Sequence, residues 1–151
     1  MCGPELAPRP RRGRQSLTLT TAAQALWGVF GVMGGFMQPQ GHLQVVSNMV
    51  DLGMDPQQAL DAPRFYLAGL GSYTGRATQT AADVASSTVL LEEGISYEVA
   101  EELVGRGHAV KHGVAGQERS VFGRGQVIFR APDGVLWGGS DPRADGCALG
   151  F

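Results

Sequence analysis

The sequence predicts an α+β fold in which sheets and helices stack in layers. Three observations carry this. A β-favouring apolar run, Leu26 to Met33, comes early in the chain. Two helix signatures follow, one after Pro39 and one after Asp55. A hairpin pattern, Gln126–Arg130 and Val135–Trp137 around Pro132-Asp133-Gly134, lies near the end. Strands toward both ends with helices between them suit a layered sheet-and-helix architecture.

Composition sets the bounds. The 151 residues are enough for one domain with a core, and 43% hydrophobic content is ordinary for a globular protein. The 23 glycines exceed the usual share of about 7%. They show no period, which argues against collagen and low complexity. A net charge of −2 gives no general reason to bind nucleic acid or membrane. Cys2 and Cys147 make no disulfide framework, so a reducing, cytoplasmic setting is the expectation, with a periplasmic or secreted one as the alternative.

Residues 1–25 read as a separate, disordered basic arm, rich in proline and in Arg9, Arg11, Arg12 and Arg14. A signal peptide cleaved after Ala25 is the sharper alternative, but its apolar region, Ser16 to Ala22, is threonine-rich and weakly apolar. A transmembrane helix is not expected, because Gly34-Gly35 and Pro39 break the uncharged run. The ordered part, residues 26–151, begins with the strand Leu26–Met33. Pro39 suits the first position of a helix with apolar residues Val45, Val46, Met49 and Leu52, ending at Gly53. Asp55 is an N-cap, Pro56 fills the first turn, and Gln58 completes a capping box. Pro63 ends that helix by excluding Ala62 from helical geometry.

Tyr66 to Ser87 lacks periodicity and reads as a surface loop. Thr88–Glu92 is a short strand. A helix over Tyr97–Val104 is capped by Ser96 and closed by Gly105 or Gly107, and His108–Lys111 is a further strand. After the hairpin, Gly138 to Gly146 forms a tight loop.

One stretch organises the rest: Phe30-Gly-Val-Met-Gly-Gly-Phe-Met-Gln-Pro-Gln-Gly-His42. It reads as strand, glycine turn and helix start. Gly34 and Gly35 leave two backbone N–H groups unshielded ahead of a helix N-terminus. That arrangement attracts negative charge, either a bound anion or a developing oxyanion. From Gln15 to Val50 there is no Asp, Glu, Lys or Arg, so backbone dipoles would hold the charge.

This stretch resembles the glycine-pair segment of the γ-glutamyltranspeptidases, also called γ-glutamyltransferases. Three more stretches agree in order: Asp51–Phe65; Leu91–Ile95 with Gly105–Val110; and Phe122–Gln126 with Gly138–Gly146. The resemblance covers Gly28 to Phe151 and corresponds to the C-terminal part of the small subunit. It implies part of an αββα N-terminal-nucleophile hydrolase. In such enzymes a precursor cleaves itself, and the new N-terminal threonine attacks a γ-glutamyl amide such as glutathione. The acyl group then passes to water or an amino acid. The threonine's own amine can serve as general base. The resemblance implies that Gly34 and Gly35 form the oxyanion hole. It also implies that the nucleophile and the residues gripping the glutamyl group lie upstream of the glycine pair. Thr18, Thr20 and Thr21 do not stand in the self-cleavage context, so the chain alone is expected to be inactive. No substrate-binding residue is assigned.

The remaining candidates read as structural. Asp141, Arg143 and Asp145 could orient a carboxylate, but the pattern suits a turn tied to its neighbours, with Asp141 bonding backbone N–H groups. Arg64 reads as a buried ion-pair partner in preference to a substrate clamp. His108 and His112 flank a strand and lack a third ligand, so no metal is expected, and no cofactor is implied. His42 is assigned to capping or packing, and Trp27 and Trp137 to strand cores. Two functions compete. One is an enzyme segment acting on a γ-glutamyl small molecule, or on another amide as a related acylase. The other is a non-catalytic remnant that packs against a large-subunit-like chain or a second copy.

Overall fold

The computed structural model describes residues 18–22, 25–69 and 87–150. Sheet A has the order β1-β2-β6-β7, from β1 (Thr18–Ala22), β2 (Ala25–Met33), β6 (Arg124–Arg130) and β7 (Leu136–Ser140), all antiparallel. Sheet B has the order β3-β4-β5, from β3 (Phe65–Ala68), β4 (Thr88–Glu92) and β5 (Ala109–Val114). The β4–β5 pair is parallel and its crossover is α3 (Tyr97–Gly105).

Helices α1 (Met37–Val50) and α2 (Pro56–Asp61) cover one face of sheet A. Phe30, Val32 and Val127 from the sheet meet Val45, Met49, Ala59 and Leu60 from the helices in one buried cluster. Alternation along β2 and β6 sets this face, since every second side chain points the same way. Met37 at the start of α1 joins Val114 and Phe122 in a second cluster, which Tyr66 and Leu90 flank. On the far side of sheet B, Val89 and Leu91 pack on Ala100 of α3. The layers thus run sheet A, α1 with α2, sheet B, α3. The other face of sheet A carries exposed Met33, Ile128 and Leu136.

Most predicted elements stand where the sequence puts them, and the capping box at Asp55 is present in full. Gln58 N–H donates to Asp55 Oδ1 at 2.8 Å and Asp55 N–H to Gln58 Oε1 at 3.1 Å. Asp55→Ala is expected to destabilise the fold by about 1 kcal/mol in urea unfolding, leaving Gln58 N–H unbonded.

Several readings are corrected. Pro39 is the third residue of α1, because Met37 and Gln38 already donate to Gly34 and Gly35 carbonyls. A proline is tolerated there since first-turn N–H groups have no intrahelical partner. Helix α1 ends at Val50, short of Leu52. Tyr66–Ala68, read as the start of a loop, form a strand with Phe65. It pairs with β4, and Gln40 and Gln44 of α1 bond its backbone from the other side. Ser96 stands at the N-cap of α3 without a side-chain cap bond. Gly138–Ser140 belong to β7, opposite Gln126–Ile128, and not to a loop. The rest of the 66–87 loop, residues 70–86, lies outside the described residues, as do residues 1–17, 23 and 24 of the basic arm.

Trp27 joins the core through a bulge. Thr20 pairs with Gly28 and Thr21 with Leu26, so Trp27 is the extra residue of β2. Its ring turns onto the helix face and meets Phe129 edge-on at 5.2 Å. Trp137 is half exposed, contrary to the core position expected of it.

Candidate active site

The strand β2 ends at Met33 and the chain turns through Gly34 and Gly35 into α1. Gly34 has φ 150° and Gly35 φ 59°, both disfavoured for side chains. Their carbonyls accept from Met37 and Gln38 N–H at 3.1 Å each, which starts the helix. Among the described residues, neither glycine N–H has an acceptor. Both glycines are exposed. The positive end of the 14-residue α1 dipole lies at the same place. The turn therefore presents open N–H donors to an incoming negative charge.

Close backbone packing holds this turn. A Cβ on Gly34 would lie 3.0 Å from Gly123 Cα and 3.2 Å from Met37 Cβ. A Cβ on Gly123 would fall 2.5 Å from Met33 O and 2.8 Å from Val32 Cγ1. Behind it, α1 approaches β2 so closely that a Cβ on Gly41 would meet Val32 Cγ1 at 2.7 Å.

A buried ionic cluster fixes Gly123 in turn. Arg64, Glu92 and Asp141 are each no more than 1% exposed. Arg64 pairs with Asp141 at 2.8 Å, and Arg143 bridges Asp141 at 3.0 Å and Glu92. Arg119 Nε reaches Glu92 at 2.6 Å. Both buried arginines also donate to the Leu60 carbonyl at the end of α2, Arg64 to Phe122 O as well, and Arg143 to Ala62 O. Gly125 N–H donates to Asp141 Oδ2 at 2.7 Å. Phe122 and Gly125 flank the Gly123-Arg124 step, so the cluster clamps the segment that backs Gly34.

Charge states follow from this geometry. Burial pushes the Glu92 carboxyl up, but hydrogen bonds from Arg143, Arg119 and Arg64 N–H outweigh it and hold it below the usual carboxylate range. Burial pulls Arg143 down, and Glu92 and Asp141 more than reverse that. Arg64 is pulled down by burial and then by the Arg143 charge, which Asp141 only partly offsets.

The structure thus gives Arg64, Asp141 and Arg143 the structural roles read from sequence. Asp145 makes no ion pair among the described residues. Glu92 and Arg119 were not singled out by sequence. Their one sequence signal is Glu92 closing the apolar run Thr88-Val-Leu-Leu.

His42 sits one turn into α1, packed edge-on against Phe30 at 5.8 Å. Its Nε2 is buried without a partner, and burial lowers its pKa from the ordinary 6.5. The unfolded chain then binds a proton more readily, so stability should fall as pH drops below 6.5 toward the folded value. His42→Asn is expected to flatten that slope in pH-dependent melting. His112 is held by the Ile95 carbonyl at 2.7 Å and by the Tyr97 ring. Among the described residues no group of three or more His, Cys, Asp or Glu could hold a metal ion. No helix among them is long and apolar enough to cross a membrane.

Comparison with known proteins places the chain in a family. The gamma-glutamyltranspeptidase family model matches residues 7–151, extending beyond Gly28 toward the N-terminus. The glutathione hydrolase-like YwrD proenzyme of Bacillus subtilis is 30% identical over 123 residues, 82% of this chain and 21% of its own. The acylase ACY 1 proenzyme of Pseudomonas sp. strain V22 is 34% identical over 69% of this chain and 15% of its own. The chain thus spans about a fifth or less of these relatives' length. Among solved structures, cephalosporin acylase from Bacillus halodurans is 43% identical over 84% of this chain and 20% of that one, with a TM-score of 0.65. Gamma-glutamyltranspeptidase from Pseudomonas nitroreducens, at 20% identity and a TM-score of 0.64, shares the fold over 95% of this chain and 66% of its own. The architecture is that of part of an N-terminal-nucleophile hydrolase, and the chain belongs to the gamma-glutamyltranspeptidase family.

Proposed function

We propose that this chain is the C-terminal portion of an amidohydrolase or acyltransferase and supplies its oxyanion hole. The N–H groups of Gly34 and Gly35 stabilise the tetrahedral oxyanion formed when a threonine attacks an amide carbonyl. The nucleophile belongs to a small-subunit segment upstream of the turn, and the substrate is a γ-glutamyl amide of the glutathione type. The observation that carries this reading is the exposed turn whose carbonyls are engaged and whose N–H groups are open.

The exposed face of sheet A supports assembly with a complementary segment. Ile128 is 51% exposed and Leu136 66% exposed on the face away from α1 and α2. A further sheet packed there would complete the αββα layers and remove this apolar surface from water. Purified chain alone should then release no chromophore from a γ-glutamyl anilide, while the chain assembled with its threonine-led segment should. Turnover by the chain alone would refute the reading. The 43% identity to a cephalosporin acylase favours a second reading, in which the amide carries a different acyl group. Comparing γ-glutamyl anilide with glutaryl anilide as substrates separates the two.

A further inference from the structure

Two arginines with unused hydrogen-bonding capacity among the described residues line one cleft. Among the described residues, Arg119 uses only its Nε, on Glu92. Arg124 makes no ion pair among the described residues. Both line a cleft of about 710 Å³ with Gln117, Ser120, Arg143 and Asp145.

Charge counting points to what the cleft takes. The cluster sets Arg64, Arg119 and Arg143 against Glu92 and Asp141, three positive charges against two negative. Adding Arg124 and Asp145, one of each sign, leaves one positive charge in excess. Arg119, its side chain 33% exposed, is the cluster member that opens to solvent. An unmatched positive charge beside buried ion pairs is stabilised by a monoanion. Guanidinium forks match a carboxylate in both shape and charge.

The cleft also adjoins the glycine turn. Arg124 lies directly opposite Met33 in the β2–β6 ladder, and Met33 precedes Gly34. A Cβ on Gly125 would meet Leu60 on the helix face at 2.5 Å, so alternation turns Arg124 away from that face, at the end of β6 beside the turn. Arg124 therefore stands one residue from the turn with its charge unspent.

We infer that this cleft is a carboxylate-binding subsite, gripped by Arg124 and Arg119. The carboxylate belongs to the substrate whose reacting carbonyl lies at Gly34 and Gly35; this last step rests on the oxyanion-hole reading. The test is an NMR titration of the chain, alone or in its soluble assembly, with sodium acetate at constant ionic strength. Saturable shifts are expected at the Arg124 and Arg119 Nε–H groups and the Gly123 amide. Arg124→Gln should weaken acetate binding at least tenfold. Arg130→Gln, at the far end of the same strand face, should leave it within twofold. Non-saturating shifts, or equal effects of the two variants, would overturn the subsite. Tighter binding of inorganic phosphate than of acetate would overturn its assignment to carboxylates.

For the substrate half, Arg124→Gln in the assembled enzyme should raise KM at least tenfold for an amide bearing a carboxylate. It should not do so for the same amide with that group as a carboxamide. Equal effects on both would overturn the link to the substrate. Acetate binding should survive in Gly35→Ala, so failure of the oxyanion-hole reading and failure of the subsite are told apart.

Discussion

Gly34→Ala is expected to lower turnover by the assembled enzyme about 100- to 1000-fold, the usual cost of losing an oxyanion donor. The new methyl group has nowhere to go. It would meet Gly123 Cα at 3.0 Å, a backbone atom that cannot swing aside, at a φ of 150°. The turn must shift, and both open N–H groups shift with it. Gly35→Ala is the informative contrast. Among the described residues, no atom beyond its chain neighbours lies within 4 Å of its Cβ position, and its φ of 59° is one that alanine adopts at moderate cost. Its N–H stays in place, so its loss of turnover should be the smaller by tenfold or more. Steady-state kcat on a γ-glutamyl anilide ranks the two, and melting temperatures show that neither result is unfolding.

Arg143→Met is expected to destabilise the fold by about 3–5 kcal/mol in denaturant unfolding. The Arg143 side chain is buried and bonds both carboxylates and two carbonyls. Without it, Glu92 keeps only Arg119 and the Arg64 N–H, and Asp141 keeps Arg64 and backbone donors. Methionine fills the volume but satisfies none of them. Combining it with Glu92→Gln should cost less than the sum of the two changes, because the second removes a charge that the first left unmatched. Acid should act on the same cluster. The folded pKa of Glu92 lies below its ordinary value of 4.5, so its contribution is fully present above that value. It is lost as pH falls through the lower folded value.

The glycine turn was legible in sequence because it is local. Two glycines after an apolar strand and before a helix carry their own geometry, and the cap at Asp55 and the stop at Pro63 are equally short-range. The ionic cluster was not legible as a unit. Its members, Arg64, Glu92, Arg119 and the Asp141–Arg143 pair, come from four separate segments and meet only when sheets A and B close around α2. Arg64 and Asp141 could be read as structural one at a time, but their partners could not be named. β3 was missed for a similar reason. Phe65-Tyr-Leu-Ala has no alternation, and its order comes from β4 on one side and two α1 glutamines on the other. β1 hid in a threonine-rich run that suits a strand, yet only pairing with β2 defines it.

The most direct test is a structure of the assembled enzyme with a tetrahedral transition-state analogue, such as a γ-glutamyl boronate, on its threonine. The boronate oxygen is expected about 2.7–3.1 Å from the N atoms of both Gly34 and Gly35. A boronate oxygen bonded elsewhere, with both glycine N–H groups facing water, would contradict the oxyanion hole.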